Sequence, residues 1–463
     1  MIKQKFQPYI FYSILLAIVL CSSLSYLNIT FTILLFGLVI IAPIVVDDTK
    51  TISIYIFSAC FMACFGEWEF LTALNVSLFV LEIKKLIIAI KHNQNKNDII
   101  TILLTWLGLL AILTIYSLLY NHFKIHRMAM FIDFIQCTLA CYLVRKSINV
   151  KTVVFALFAG IILSVGISSL FCLADIKNQF IAGYLDNRFG AFFNNVNTLS
   201  VYCTLCASCF IVLLLTKRLN FKYYFYFPFI ITSFGLLTMS KAFMLMSVLL
   251  YSSWFILSFI KSNNKKMFGL YLIILIIAGI LIAFVAQDYI KTMLERFSNT
   301  GHSSTINNVT TGRADIWEKY FDRWIKSPVT FLFGNGYTAP KIDTNQYEHS
   351  IYMAFLYQFG IIGTIAIIST LVWTLRKNAK LQRNIACYIP LGIFLINGLV
   401  SNLSGVLCSC LIWFMAFYFI TMDTAPSINH QIIKKTEDHT NNVPTQTTNS
   451  NKNNSTPNSN LNT

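Results

Sequence analysis

The chain has 463 residues, 56% of them hydrophobic and only 12% charged, with a formal net charge of +16. A soluble protein of this length carries about a quarter of its residues as charges, so a soluble globular fold is excluded. Apolar runs recur along almost the whole chain, which marks a polytopic membrane protein and turns the basic excess into loop charge rather than a nucleic-acid surface.

The N-terminus is basic and then apolar. Another apolar run follows Ser22 and Ser23, so the first segment is read as retained rather than cleaved. Hydrophobic runs predict spans at about 8–27, 30–46, 51–66, 69–90, 99–119, 127–144, 152–174, 197–216, 222–239, 242–260, 268–286, 350–375, 385–402 and 404–422. Some of the early ones are short enough to be half-helices or to lie along the interface. All are read as helices, because unpaired backbone groups are too costly in lipid and no barrel-type alternation is visible. The fold class is all-α: a polytopic bundle of about 12–14 transmembrane helices over residues 1–422, with one large external loop near 287–349. Residues 423–463 are rich in Asn, Thr and Ser. They have little apolar content to bury and are expected to be a disordered cytoplasmic tail.

The 12 cysteines all fall inside apolar runs. "CTLCASC" (Cys203, Cys206, Cys209) has a spacing that suits a metal, but no His or acid alternates with it, so it is read as packing. No metal or other cofactor is expected. Orientation follows from Lys and Arg in the connections. With the N-terminus inside, the inward connections hold 20 basic residues and the short outward ones hold five. Both termini are then cytoplasmic.

Asp133 lies inside a span ("MAMFIDFIQC") and either pairs with a cation of the bundle or relays protons. The outward face carries more. "DIKNQFIAGYLDNRFGAFFNNVNTLS" brings Arg188, Gly190 and an Asn-rich stretch to a re-entry point. "LLTMSKAFMLM" puts Lys241 between two apolar runs with no loop to speak of. In the large loop, "TGRADIWEKYFDRWIKSP" predicts an amphipathic helix with Trp317, Tyr320, Phe321 and Trp324 on one stripe, ended by Pro328 and lying in the interface. "FGNGY" then makes a tight turn. "EHSIYMAFLYQFGIIG" opens the next span with Glu348 and His349 at its outer lip.

Cations near hydrocarbon are costly and are usually placed for a partner. Arg188, Lys241 and Arg313 come from three separate stretches yet share this face, where His349 adds a titratable base. A ligand with two phosphates and a lipid tail fits them, since Arg binds phosphate bidentately and Lys acts as a point charge. Plainer roles stand beside these. Lys241 can snorkel to lipid headgroups, Arg313 can pair on its own helix, and His349 can anchor a helix start. Glu348 reads as a favourable charge at a helix start. Gly360 and Gly363 are read as small residues that let a neighbouring span approach.

These pieces resemble the bacterial O-antigen ligase and polymerase superfamily. The resemblance covers about 180–365. Its pattern has a Gly-Arg and Trp helix, a Gly-x-Gly turn and a His leading a helix with spaced glycines, met here by His349, Ser350, Gly360 and Gly363. The Arg188 and Lys241 segments are weaker echoes, and Lys241 stands where the family usually has Arg. The resemblance implies an inner-membrane glycosyltransferase working on the periplasmic side. Its donor would be a glycan on undecaprenyl diphosphate, and its acceptor either lipid A–core, as in the ligases, or a second lipid-linked glycan, as in the polymerases. Transfer would be metal-independent and inverting, with Arg188, Lys241 and Arg313 clamping the diphosphate and His349 as base. Membrane lipids are the other expected partner and nucleic acid is not one. A lipid-linked oligosaccharide flippase is the reading from a different class. It is disfavoured because no repeat is seen and the polar residues gather on one face.

Overall fold

The computed structural model describes residues 6–65, 67–92, 96–119, 125–174, 188–193, 195–261, 313–337, 350–377, 379–400 and 408–422, together with 269, 287, 291 and 295. The span expected at 268–286 (apart from residue 269), the tail at 423–463, Glu348 and His349 lie outside the described residues. Every regular element among the described residues is helical, as lipid demands of a chain without a closed barrel.

The chain opens with α1 (Gln7–Leu24), α2 (Ile29–Val45), α3 (Asp48–Ala59), α4 (Glu67–Lys91), α5 (Lys96–Leu119), α6 (Ile125–Val144) and α7 (Val150–Leu173). Next come α8 (Val196–Leu215), the single turn α9 (Phe221–Tyr224), α10 (Phe227–Leu236) and α11 (Lys241–Lys261). The later described helices are α12 (Arg313–Trp324), α13 (Pro328–Phe333), α14 (Ile351–Arg376), α15 (Ile389–Val400) and α16 (Cys408–Thr421). Among them α1, α5, α7, α8, α11 and α14 are long and apolar enough to cross a membrane. Many starts are fixed locally. Asn28, Asn149, Asn195 and Asn220 each accept a backbone N–H two residues on, which satisfies an orphan donor that hydrocarbon cannot.

Two expected spans are divided. The run at 51–66 is α3 followed by a short 3₁₀ turn, Met62–Cys64. α3 alone rises about 18 Å, well short of a hydrocarbon core of about 30 Å. The run at 222–239 is α9 and α10, because Pro228 begins a new helix. α8 is the hub of the bundle. α7, α10, α11 and α15 pack around it, and Cys203, Cys206 and Cys209 are buried in that apolar core.

One end of the bundle gathers segments expected to face inward. Lys85 pairs with Asp48, whose carboxylate also accepts from Ser147 Oγ at 2.5 Å. Asn149 N–H donates to Thr49 Oγ1 at 3.0 Å, and Tyr418 OH to Ile148 O at 3.1 Å. Lys377 pairs with Asp98 at 3.2 Å. Arg145, 7% exposed, donates to Leu375 O at 3.4 Å and Lys377 O at 2.6 Å. It thereby caps the C-terminus of α14, where a cation suits the helix dipole.

α14 is not a single straight span. Gly360 has φ +61° and ψ −170° in its middle, a conformation that ends one helix and starts another. Ring contacts show which way the two arms run. Phe359 lies against Phe131 (5.2 Å), whereas Phe355 lies against Phe134 (6.1 Å), one turn nearer the Arg145 end of α6. The other arm reaches that same end through Thr374, which accepts from Trp106 Nε1 at 3.0 Å, and the capped Leu375. Both arms therefore lead away from Gly360 toward the same end, and α14 is an inverted V with Gly360 at its apex. The arm after the apex rises about 24 Å over 361–376. The arm before it re-enters the bundle. Tyr352 OH donates to Leu395 O at 2.8 Å, and Ile351 presses on Gly398, where a Cβ would come within 2.6 Å.

Candidate functional site

Several chain segments carry the polar groups of the end opposite Arg145. One is the extended segment at Arg188. Arg188 Nε donates to Thr238 O at 2.8 Å, its Nη2 donates to Asn197 Oδ1 at 3.0 Å, and Phe189 N–H donates to Leu237 O at 3.1 Å. Ser240 Oγ approaches the same Asn197 oxygen at 3.4 Å. The turn between α10 and α11 makes this possible. Met239 takes φ +46°, and Gly235 leaves room for the Phe243 ring, whose nearest atoms would lie 2.2 Å from a Cβ. Lys241 follows Ser240 directly as the first residue of α11. Arg188 and Ser240, 52 positions apart in the sequence, thus share the Asn197 amide oxygen.

The second half of the site is built on the re-entrant arm of α14. α12 lies on it, with Ile316, Tyr320 and Trp324 buried in one cluster with Tyr357. The Tyr320 and Tyr357 rings are 5.1 Å apart and nearly perpendicular, a favourable edge-on arrangement. The buried stripe therefore differs from the one expected. Ile316 replaces Trp317 and Phe321, which are half-buried and 45% exposed. A spacing of four places Ile316, Tyr320 and Trp324 on one line, and aromatic character had drawn attention to its neighbours. Pro328 does not stop α12, which ends at Trp324. It begins α13 behind a Ser327–Thr330 capping box.

The Gly-x-Gly turn locks on the apex of α14. Asn335 N–H donates to Tyr357 O at 2.8 Å and Gly336 N–H to Gln358 O at 2.9 Å, the carbonyls that the break at Gly360 leaves without helix partners. Tyr116 OH donates to Gly334 O at 2.8 Å, and Ser117 Oγ accepts from Tyr337 N–H at 2.5 Å. A Cβ on Gly334 would lie 2.3 Å from Gln358 O, and one on Gly360 2.4 Å from Leu332 C and O. Gly360 is thus a crossing point with the α13 turn rather than one of two small residues on a continuous helix face. Gly363, in the second arm, faces Leu113 of α5.

His349 precedes the described residues by one. Ser350 is 3% exposed and caps the arm through Met353 N–H at 3.5 Å. This helix start lies at the foot of the arm, inside the bundle. From there the path back to Arg188 is short in connectivity. Ile351 meets Gly398, and the adjacent Asn397 lines a small cavity with Ser200 and Phe243. Ser200 lies one turn after Asn197, and Phe243 two residues after Lys241.

Electrostatics sharpens the picture. Asn197, Lys241 and Ser350 all stand at helix starts, where the backbone presents partial positive charge. Lys241, as the first helical residue of α11, opposes that dipole. Burial lowers the pKa of the Arg313 guanidinium, which still remains charged. A cation at a helix start suits a nearby anion. Asp133 belongs elsewhere. It is 2% exposed in α6, hydrogen-bonded to Asn75 of α4, and its Oδ1 has no partner among the described residues. The group beside it is thus the amide of Asn75.

Asn197 is the residue that sequence reading passed over as one of several asparagines. Its place two positions after a capping Asn was visible, but its choice of Arg188 and Ser240 as donors is a long-range contact. Against known proteins, residues 227–368 match the family model Wzy_C, described as O-Antigen ligase. No curated protein matches the chain.

Proposed function

From its place in the O-antigen ligase and polymerase superfamily, we propose that the chain transfers a glycan from undecaprenyl diphosphate to a sugar hydroxyl of lipid A–core on the periplasmic side of the inner membrane. The observation that carries this reading is that Lys241 begins α11 directly after Ser240, and Ser240 shares the Asn197 amide oxygen with Arg188 within an apolar bundle. A cation at a helix start suits an anionic ligand, and an apolar surround suits one with a lipid tail.

The reaction assigns each group a task. The acceptor hydroxyl oxygen bonds to the anomeric carbon while the bond from that carbon to the diphosphate oxygen breaks. His349 takes the hydroxyl proton. Arg188, Lys241 and Arg313 hold the diphosphate and neutralise the charge that develops as it leaves. The product lipid is undecaprenyl diphosphate, and attack from the opposite face inverts the anomeric centre.

The test is a gel of surface polysaccharide from a strain lacking the gene and carrying His349→Ala. Loss of the glycan ladder on core, with long lipid-linked chains accumulating, is the expected result. Full ladders at normal abundance would sink the role of His349. Lys241, where the resemblance has Arg, supports repeat-unit polymerisation as the second reading. A core bearing a single repeat unit in the deletion strain would favour it.

A further inference from the structure

We propose that Asp133, Asn75 and Gln136 form an intramembrane site for a monovalent metal cation, held between α4 and α6. It is separate from glycan transfer and uses none of the residues assigned to that reaction.

The three side chains meet at one helix contact. Asp133 and Gln136 stand one turn apart on α6. Asn75 of α4 donates a side-chain hydrogen bond to the Asp133 carboxylate, and Gln136 Nε2 donates to the Asn75 backbone carbonyl at 3.5 Å. A carboxylate and a carbonyl only accept, so each amide must turn its nitrogen toward them. What remains is a set of oxygens. Asp133 Oδ1, Asn75 Oδ1 and Gln136 Oε1 are all shut off from solvent, and none has a hydrogen-bond partner among the described residues. Asp133 is 2% exposed. It lies about 18 Å along α6 from Arg145, deep in an apolar bundle rather than at its inward end.

The chemistry of this set names its ligand. Oxygen is the donor atom that hard cations take. One carboxylate carries one negative charge, which a monovalent ion neutralises and a divalent ion overshoots. Uncompensated charge of either sign is costly in hydrocarbon. A proton on Asp133 supplies one hydrogen for three oxygens. Water gives each oxygen a donor but leaves the carboxylate charge unpaired. A metal ion of charge +1 meets both demands, and sodium and potassium share this chemistry.

The site also bears on the re-entrant arm of α14. Phe131 of α6 lies 5.2 Å from Phe359 and Phe134 lies 6.1 Å from Phe355. Asp133 falls between Phe131 and Phe134 in the chain, so an ion that ties α6 to α4 fixes the helix on which the arm rests.

The experiment uses the full chain purified in detergent. Its thermal midpoint is read in NaCl, KCl and choline chloride at equal ionic strength and at two pH values. A midpoint about 3–5 °C higher in NaCl or KCl than in choline, saturating with concentration, is the expected result. The salt that saturates at the lower concentration identifies the ion. Asp133→Asn should remove the gain, with a midpoint in choline equal to or above that of wild type. Equal wild-type midpoints in the three salts overturn the proposal. So does a midpoint that follows pH but not the salt, which would make Asp133 a protonated acid. A gain that persists in Asp133→Asn puts the ion elsewhere and overturns it too. If Asp133→Asn does not fold, Gln136→Leu decides: about 10-fold more salt for half the gain supports the site, and an unchanged requirement overturns it.

Discussion

Gly360 shows how one residue sets the shape of a site. At φ +61° it lies where an L side chain costs about 1–3 kcal/mol, and its would-be Cβ meets backbone atoms of Leu332 at 2.4 Å and Gly334 at 2.5 Å. Backbone cannot move aside as a side-chain end can. Gly360→Ala is expected to lower the thermal midpoint in detergent sharply and to abolish glycan transfer. Gly363→Ala should cost less, because its Cβ meets only side chains, Phe359 Cβ at 2.8 Å and Leu113 Cδ2 at 3.6 Å. Thermostability by fluorescence-detected size exclusion compares the two, and equal losses would contradict the crossing-point role. Tyr116→Phe, which removes the bond to Gly334 O, should cost about 1 kcal/mol in the same assay.

At the scale of elements, α12 and α13 form a clasp on the re-entrant arm. Trp324 Nε1 donates to Phe331 O at 3.1 Å, and the two rings stack at 5.1 Å. Phe321, Ile325, Val329 and Phe333 are left exposed, which suits a face meeting the headgroup region. Removing a buried aromatic costs about 3–5 kcal/mol, enough to free α12 from Tyr357. Tyr320→Ala should therefore make the bonds after Arg323 and Lys326 sensitive to trypsin in detergent, while Phe321→Ala should leave cleavage unchanged. Unchanged cleavage in Tyr320→Ala would show that the clasp does not depend on this contact. The amphipathic helix and the Gly-x-Gly turn were legible because period and turn chemistry are local. The seating of the turn on Gly360 was not, because a glycine in an apolar run looks the same whether it admits a neighbour or reverses the chain.

For the whole molecule, the charge bias and the gathering of residues 47–50, 145–151 and 376–384 at one end agree on which connections share a side. A green fluorescent protein fused after Met422 should fluoresce. Alkaline phosphatase placed at Lys326 should be active and the same enzyme after Met422 inactive. The reverse pattern would invert the topology and remove the periplasmic site.

Hydropathy by itself determined that this is an all-helical membrane protein and where its long apolar helices lie. These properties follow from burial cost per residue and need no partner to be known. Only the tertiary structure decided that Arg188 and Ser240 meet at Asn197, that α14 is a V with a re-entrant arm, and that Ser350 is buried at its foot. Each depends on contacts between residues distant in the chain, and their energies are set by geometry that no local pattern contains.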